Sequence, residues 1–231
     1  MNHFFCFGSD ETWDHARDRA VHDAHAAGFD RVHGFTARDL ADWPHHAWAQ
    51  TDAGRRGWGY WGWKPWLTLR VMAECLEGDT VTYSDCGSFI RPAGWSGVWL
   101  LASEAGGALY FHQHPEPRYV KADLLAHHGL GHPLPASVTH RGQIWAGCWT
   151  LPVCKGSREL LREWADHWQV GSYGLVDDSP SVLPNHPEFV EHRHDQAALS
   201  LLIKARGPTR GWLHEESLYT PTSHVYPART R

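Results

Sequence analysis

Apolar positions along this chain fall into short runs separated by stripes at helical spacing. Residues 3–7, HFFCF, form an apolar run that ends in Gly8-Ser9-Asp10. Behind it, Trp13, Ala16, Ala20, Ala24 and Ala27 recur every three or four positions, which predicts a helix closed by Gly28. DRVHGF predicts a second strand, leading into TARDL. The chain therefore opens strand–loop–helix–strand, the pattern of an α/β sheet with functional loops at its strand ends.

The same reading continues downstream. GWKPWLTLRVMAECLEGDT predicts a helix beginning near Pro65, where proline suits the first turn, with Leu67, Val71 and Cys75 as its apolar stripe. TVTYSD predicts a mostly buried strand with Asp85 at its end and Gly87 just after. WSGVWLLASEAGGALYFHQH reads as further strand punctuated by turn glycines, PRYVKADLLAHHGLGHP as a short helix, and GQIWAGCWTLPV as a strand. SRELLREWADHW predicts a helix capped by Ser157, with Leu160, Leu161, Trp164 and Trp168 on one side. GLVDDSPSVLPNHPEF is rich in turn formers and reads as loop. HRHDQAALSLLIKARG predicts a last helix with Ala198, Leu201 and Leu202 inward and Gly207 beyond its end. The tail SLYTPTSHVYPARTR has little pattern. There is no internal repeat and no composition break, so residues 1–231 are expected to be one domain.

Composition narrows the function. The formal charge of −5 supplies no basic field for nucleic acid. No run reaches membrane-spanning length, and the N-terminus lacks the basic start of a signal peptide. Five cysteines without a Cys-x-x-Cys pair point to reduced thiols and a cytoplasmic location. There are 14 Trp and 19 His against 2 Met. Codon bias can raise such totals, but not the local crowding of GWGYWGWKPWLTLR, which places Trp58, Trp61, Trp63 and Trp66 in one stretch. Such rings either wall a sugar or base pocket or pack a helix on the sheet.

Two places carry candidate chemistry. Asp85, at a strand end before Cys86 and Gly87, is a natural ligand position for a divalent cation, or else a turn cap. EHRHDQ puts His192 and Asp195 on one helical face; Asp195 either faces a cleft or caps the helix. This is not His-Glu-x-x-His spacing, and nucleotide-binding glycine motifs and serine-hydrolase elbows are missing. The pairs at His45–His46, His112–His114 and His127–His128 read as solvated loop histidines.

Taken in order, FGSDETWDHARDRAVHDAHAAGFDRVHGFTARDL, GYWGWKPWLTLRVMAECLEGDTVTYSDCGSFI, QIWAGCW and EHRHDQAALSLL resemble a group of bacterial polysaccharide-cluster glycosyltransferase-like proteins. More loosely, the chain is similar to glycogenin-like GT-A glycosyltransferases. The resemblance implies a GT-A-like fold, a mixed and mostly parallel sheet flanked by helices. It implies transfer of a sugar from a nucleotide-sugar donor to a glycan or small-molecule acceptor. Tyr83-Ser84-Asp85-Cys86-Gly87 aligns with the family's Asp-x-Asp, with Gly87 replacing the second Asp. Trp145-Ala146-Gly147 aligns with Asn-Ala-Gly, and Asp195-Gln196 with its Asp-Gln. Asp195, His194 and Gln196 are then the catalytic candidates. Gly8, Ser9, Asp10, Tyr60, Trp61, Trp63, Lys64, Tyr83, Asp85, Gly147 and His192 are the donor-binding candidates, with Lys64 near the phosphates. Mn²⁺ or Mg²⁺ would sit on Asp85 alone or with His224, or the enzyme would use no metal. Two rival readings remain: a metal-dependent hydrolase built on His192, His194 and Asp195, and a non-catalytic nucleotide-sugar or glycan-binding module.

Overall fold

The computed structural model describes residues 1–131, 133–139, 141–169, 173–206, 212–214 and 223–226. Gly207 and most of the tail lie outside the described residues. Eight strands are present among them: β1 (Asn2–Gly8), β2 (Arg31–Thr36), β3 (Thr80–Ser84), β4 (Phe89–Ile90), β5 (Ala108–Phe111), β6 (Ile144–Pro152), β7 (Trp212–His214) and β8 (Val225–Tyr226). Six form one sheet in the order β2-β1-β3-β6-β5-β7. β6 runs antiparallel to both neighbours, and every other pairing in this sheet is parallel. The expected α/β class, with a mixed and mostly parallel sheet flanked by helices, is what the chain adopts.

Covering both faces of such a sheet requires strands that are apolar on both sides. In β1 the side chains alternate accordingly. Phe5 and Phe7 enter one core with Trp63, Leu67, Val71 and Trp149. Phe4 and Cys6 enter the other with Ala16, Ala20 and Ala24 of the helix Glu11–Ala26. The small alanines let that helix lie close to the strands, and the Asp10 side chain caps it by accepting the Thr12 N–H at 2.9 Å. A two-stranded antiparallel ribbon of β4 and β8 brings Val225 against Ile90. No helix among the described residues is long and apolar enough to cross a membrane.

Three local expectations are corrected, the first at His128, which is no solvated loop histidine but the half-buried C-cap of the helix Ala122–His127, 3.0 Å from His167. WSGVWLLASEA is a helix, Trp95–Ala105, and only Ala108–Phe111 of that stretch is strand. Its buried residues Trp95, Val98 and Ala102 share one helical face, and Gly94 and Gly106 take left-handed conformations at its two ends. The helix Lys155–Asp166 is capped by Cys154, whose sulfur accepts the Ser157 N–H.

The tryptophan-rich segment is unusual in its backbone. Five successive residues have positive φ: Gly57 (57°), Trp58 (53°), Gly59 (82°), Tyr60 (50°) and Trp61 (62°). Left-handed backbone costs L-residues about 1–2 kcal/mol each. Two glycines relieve the crowding. A Cβ on Gly57 would lie 2.4 Å from the Trp61 ring, and one on Gly59 would lie 2.5 Å from Trp43. The turn ends by launching the helix Trp63–Ala73, with Lys64 in its first turn.

Candidate active site

The carboxyl end of β3 delivers Asp85, whose N–H donates to the Gly147 carbonyl of the neighbouring β6 at 2.8 Å. Tyr83, two residues earlier on the same strand, donates its hydroxyl to Asp85 Oδ1 at 2.5 Å. The same oxygen lies 3.3 Å from Lys64 Nζ. Lys64 Nζ also donates to the Ala146 carbonyl at 2.8 Å and stands 2.8 Å from Asp195 Oδ2. That last contact is an ion pair between two buried groups. One buried ammonium therefore joins two carboxylates from distant parts of the chain. It does so at the carboxyl edge of the parallel strands, where ligands of α/β sheets bind.

The two carboxylates differ in setting. The Asp85 side chain is 44% exposed, whereas that of Asp195 is 8% exposed. Burial lifts the Asp195 carboxyl to about 6, Lys64 pulls against that lift, and Asp85 adds to it. Burial alone would lower the Lys64 ammonium, but Asp195 and Asp85 outweigh it and hold it above its ordinary value. The Tyr83 hydroxyl is pushed up by burial and then by Asp85, so it remains a donor.

Tyr60, Trp61 and Trp63 flank this centre. Trp63 is buried, packs 4.1 Å from Phe7 at the end of β1, and donates Nε1 to the Gly57 carbonyl. Tyr60 and Trp61 hold the His194 ring between them, at 4.9 and 5.6 Å. Trp48 stacks flat on Tyr173 at 3.5 Å and extends the wall. His194 itself has φ +44°. It donates Nδ1 to the Val176 carbonyl at 2.8 Å, and burial lowers it to about 4, so it is neutral near pH 7.

Other candidates are placed differently. His192 donates Nε2 to the Leu175 carbonyl and accepts the Lys121 N–H at Nδ1. Gln196 donates to Gln143 Oε1 in a buried network with Glu116, Ser200 and Lys204. His192, His194 and Asp195 do not converge on a shared point, as the hydrolase reading requires. His224 hydrogen-bonds Tyr110 through Nε2 and packs edge-on against Trp95. Gly8 ends β1, and Ser9 donates its hydroxyl to Asp10, which caps the first helix. The Lys64 ammonium, 3% exposed, ties the two carboxylates together and does not stand open to a phosphate.

Asp178 belongs to the site and was hidden in a turn-rich loop. Its carboxylate takes both Arg56 contacts at 2.6 and 2.8 Å and the Tyr60 hydroxyl at 2.9 Å, and it lies 3.5 Å from His194 Nε2. Buried Lys121 shapes that loop by donating to the carbonyls of Gly174, Asp177 and Ser179. No local spacing signals these partnerships.

For a divalent cation, the side chains fit only in part. Of the two carboxylates on Lys64 only Asp85 is half-exposed, Gly87 has no side-chain donor, and His224 is committed to Tyr110. Asp85 could share an ion with phosphates, in the manner of magnesium sites with one or two carboxylates. The protein alone does not form a full ligand set there.

No protein-family model matches the chain, and no curated protein matches it. Several solved structures similar to it are glycosyltransferases. One, involved in glycosylation of the major capsid of PBCV-1, is 8% identical, with a TM-score of 0.49 over 93% of this chain and 80% of that one. Mouse xyloside xylosyltransferase 1 is 10% identical, with a TM-score of 0.48 over 93% and 85%. The galactosyltransferase LgtC, solved with donor and acceptor sugar analogues, is 14% identical, with a TM-score of 0.45 over 93% and 73%.

Proposed function

We propose that residues 1–231 form one GT-A-like glycosyltransferase domain that moves a sugar from a nucleotide-sugar donor to a glycan or small-molecule acceptor. The reading rests on one arrangement: exposed Asp85 and buried Asp195 linked through Lys64 at the carboxyl edge of the sheet, beside an aromatic wall. It accords with the resemblance to polysaccharide-cluster proteins through Tyr-Trp-x-Trp-Lys-Pro and Glu-His-Arg-His-Asp-Gln. A cytoplasmic location is part of the same reading, since all five cysteines are free thiols.

In this proposal the diphosphate end of the donor lies over Asp85, and the sugar lies toward Asp195. Mn²⁺ or Mg²⁺, held by Asp85 and the phosphates, would supply charge for the leaving group. Asp195, with its carboxyl near 6, is matched to take the proton of the acceptor hydroxyl near neutral pH. The bond from the sugar carbon to the diphosphate oxygen breaks, and the acceptor oxygen bonds to that carbon. Lys64 orients both carboxylates and keeps Asp195 from rising further. Tyr60 and Trp63 are buried and back the wall, whereas half-buried Trp61 could offer a ring face to the donor, and such stacking on a base is worth about 1–3 kcal/mol.

The test is calorimetric titration of UDP, GDP and CDP with Mn²⁺, then with EDTA, into wild type, Asp85→Ala and Asp195→Asn. Micromolar binding of one nucleotide, lost in Asp85→Ala, supports the donor site. Turnover of the matching nucleotide sugar should vanish in Asp195→Asn while nucleotide binding remains. Binding that survives EDTA removes the metal from the proposal. No binding of any nucleotide refutes it.

A further inference from the structure

Three metal-capable side chains meet at the opposite edge of the sheet from Asp85. They are His3 at the start of β1, Asp79 just before β3, and Cys75 just past the helix Trp63–Ala73. One donor atom from each lies within 4.8 Å of the other two. Among the described residues no other three His, Cys, Asp or Glu side chains come so close together. We propose that His3, Cys75 and Asp79 form a zinc site, completed by water, that fastens the rear ends of these three elements.

The donor set suits zinc, which takes imidazole nitrogen, thiolate and carboxylate together in tetrahedral sites. Bonds of about 2.0–2.3 Å place tetrahedral donors about 3.3–3.8 Å apart, so a pair at the 4.8 Å limit would have to approach by about 1–1.5 Å. His3 Nε2 is already 3.3 Å from Asp79 Oδ2. That oxygen accepts the Leu76 N–H at 3.0 Å, and the Met1 amino group holds Oδ1 at 2.6 Å, which orients the carboxylate. His3 and Asp79 are buried, while Cys75 is only half-buried and leaves a path for the ion. The Cys75 thiol donates to the Val71 carbonyl at 3.1 Å. Zinc would take the sulfur as thiolate and release that proton to solvent.

Each ligand occupies the far end of an element whose near end carries a group of the candidate site. β1 runs from His3 to Gly8. The helix runs back from Cys75 to Lys64. Asp79 and Asp85 bracket β3, about 20 Å apart at about 3.3 Å per residue. Zinc there would act on rigidity, away from any chemistry at Asp85. The inference is independent of the transferase reading.

The test uses the full chain, stripped with EDTA and titrated with Co²⁺. Equimolar binding should produce the near-ultraviolet thiolate-to-cobalt charge-transfer band, and Zn²⁺ should bleach it. Cys75→Ser, folded by circular dichroism, should abolish the band. His3→Gln and Asp79→Asn should weaken binding at least tenfold. Zinc should raise the melting temperature of wild type and leave that of Cys75→Ser unchanged. Cobalt bound without a thiolate band would mean coordination by surface histidines alone and would overturn the proposal. So would a band that persists in Cys75→Ser, no binding to folded wild type, or equal zinc stabilisation of both proteins.

Discussion

Replacing Lys64 with Met keeps most of the buried stem and removes the ammonium between two carboxylates. At an effective dielectric constant near 20, contacts of 2.8 and 3.3 Å correspond to about 6 and about 5 kcal/mol of Coulomb attraction. Desolvation offsets much of this, and breaking a buried pair by removing one partner costs about 3–5 kcal/mol. The two halves are unequal. Asp85 is nearly half exposed, so water screens its share to about 1 kcal/mol or less. Asp195 is buried, and its share survives. Lys64→Met should therefore destabilise the fold by about 3–4 kcal/mol, partly because the Ala146 carbonyl loses its donor. A double-mutant cycle with Asp195→Asn should show coupling of about 2–3 kcal/mol, and one with Asp85→Asn less than about 1 kcal/mol. Urea unfolding followed by tryptophan fluorescence measures all six proteins of the two cycles. Coupling near zero with Asp195, or greater with Asp85 than with Asp195, would refute the assignment of Lys64 as the charge that holds Asp195 in place.

Other positions allow independent checks. Lys121→Met strands three carbonyls of the 174–179 loop and should cost about 3–5 kcal/mol in urea unfolding; a loss below about 1 kcal/mol would show that the ammonium does not shape that loop. Gly59→Ala combines φ +82° with a Cβ 2.5 Å from Trp43 and should cost about 2–4 kcal/mol. Gly28→Ala, at φ +86° but in open space, should cost only about 1–2 kcal/mol, and equal melting temperatures for the two would contradict the crowding at Gly59. Stability should fall with acid: His194, His224 and His128 are held near 4 by burial, below their ordinary 6.5, so the unfolded chain takes up protons first. Their contribution is complete above about pH 6.5 and is lost toward pH 4. Asp195, raised to about 6, works the other way, losing its contribution as pH rises from about 4 to 6. Three histidines against one carboxyl give a net loss, read as a falling urea midpoint between pH 7 and 5; a flat midpoint would contradict their burial.

The elements that sequence reading places well are those with an uninterrupted local period. β1, the alanine-striped first helix, β3, β6 and the last helix each carry their pattern within a few residues, because side-chain spacing is a property of the local backbone. The Trp95–Ala105 helix reads as strand because Trp, Val and Leu in a glycine-flanked run fit either period. Packing against Phe29 and the sheet decides between them. The cap at Cys154 is missed for a similar reason, since a thiol is not among the usual capping groups. Asp178 sits in an Asp-Asp-Ser turn that local preference explains in full, and only the folded loop carries it to Arg56, Tyr60 and His194.

By itself the sequence of this chain determines an α/β sheet, from the order of its apolar and polar residues, and marks Asp85, the tryptophan turn and the Asp195 segment, from their residue types, as places of unusual chemistry. The tertiary structure alone decides that Lys64 lies buried between the two carboxylates, that His192 and Gln196 turn to interior partners, and that His3, Cys75 and Asp79 gather at the other edge. The reason is range. Helical and strand periods act over neighbouring residues, whereas a buried charge is set by whichever partners the sheet order brings within about 3 Å, and that order joins segments far apart in the chain.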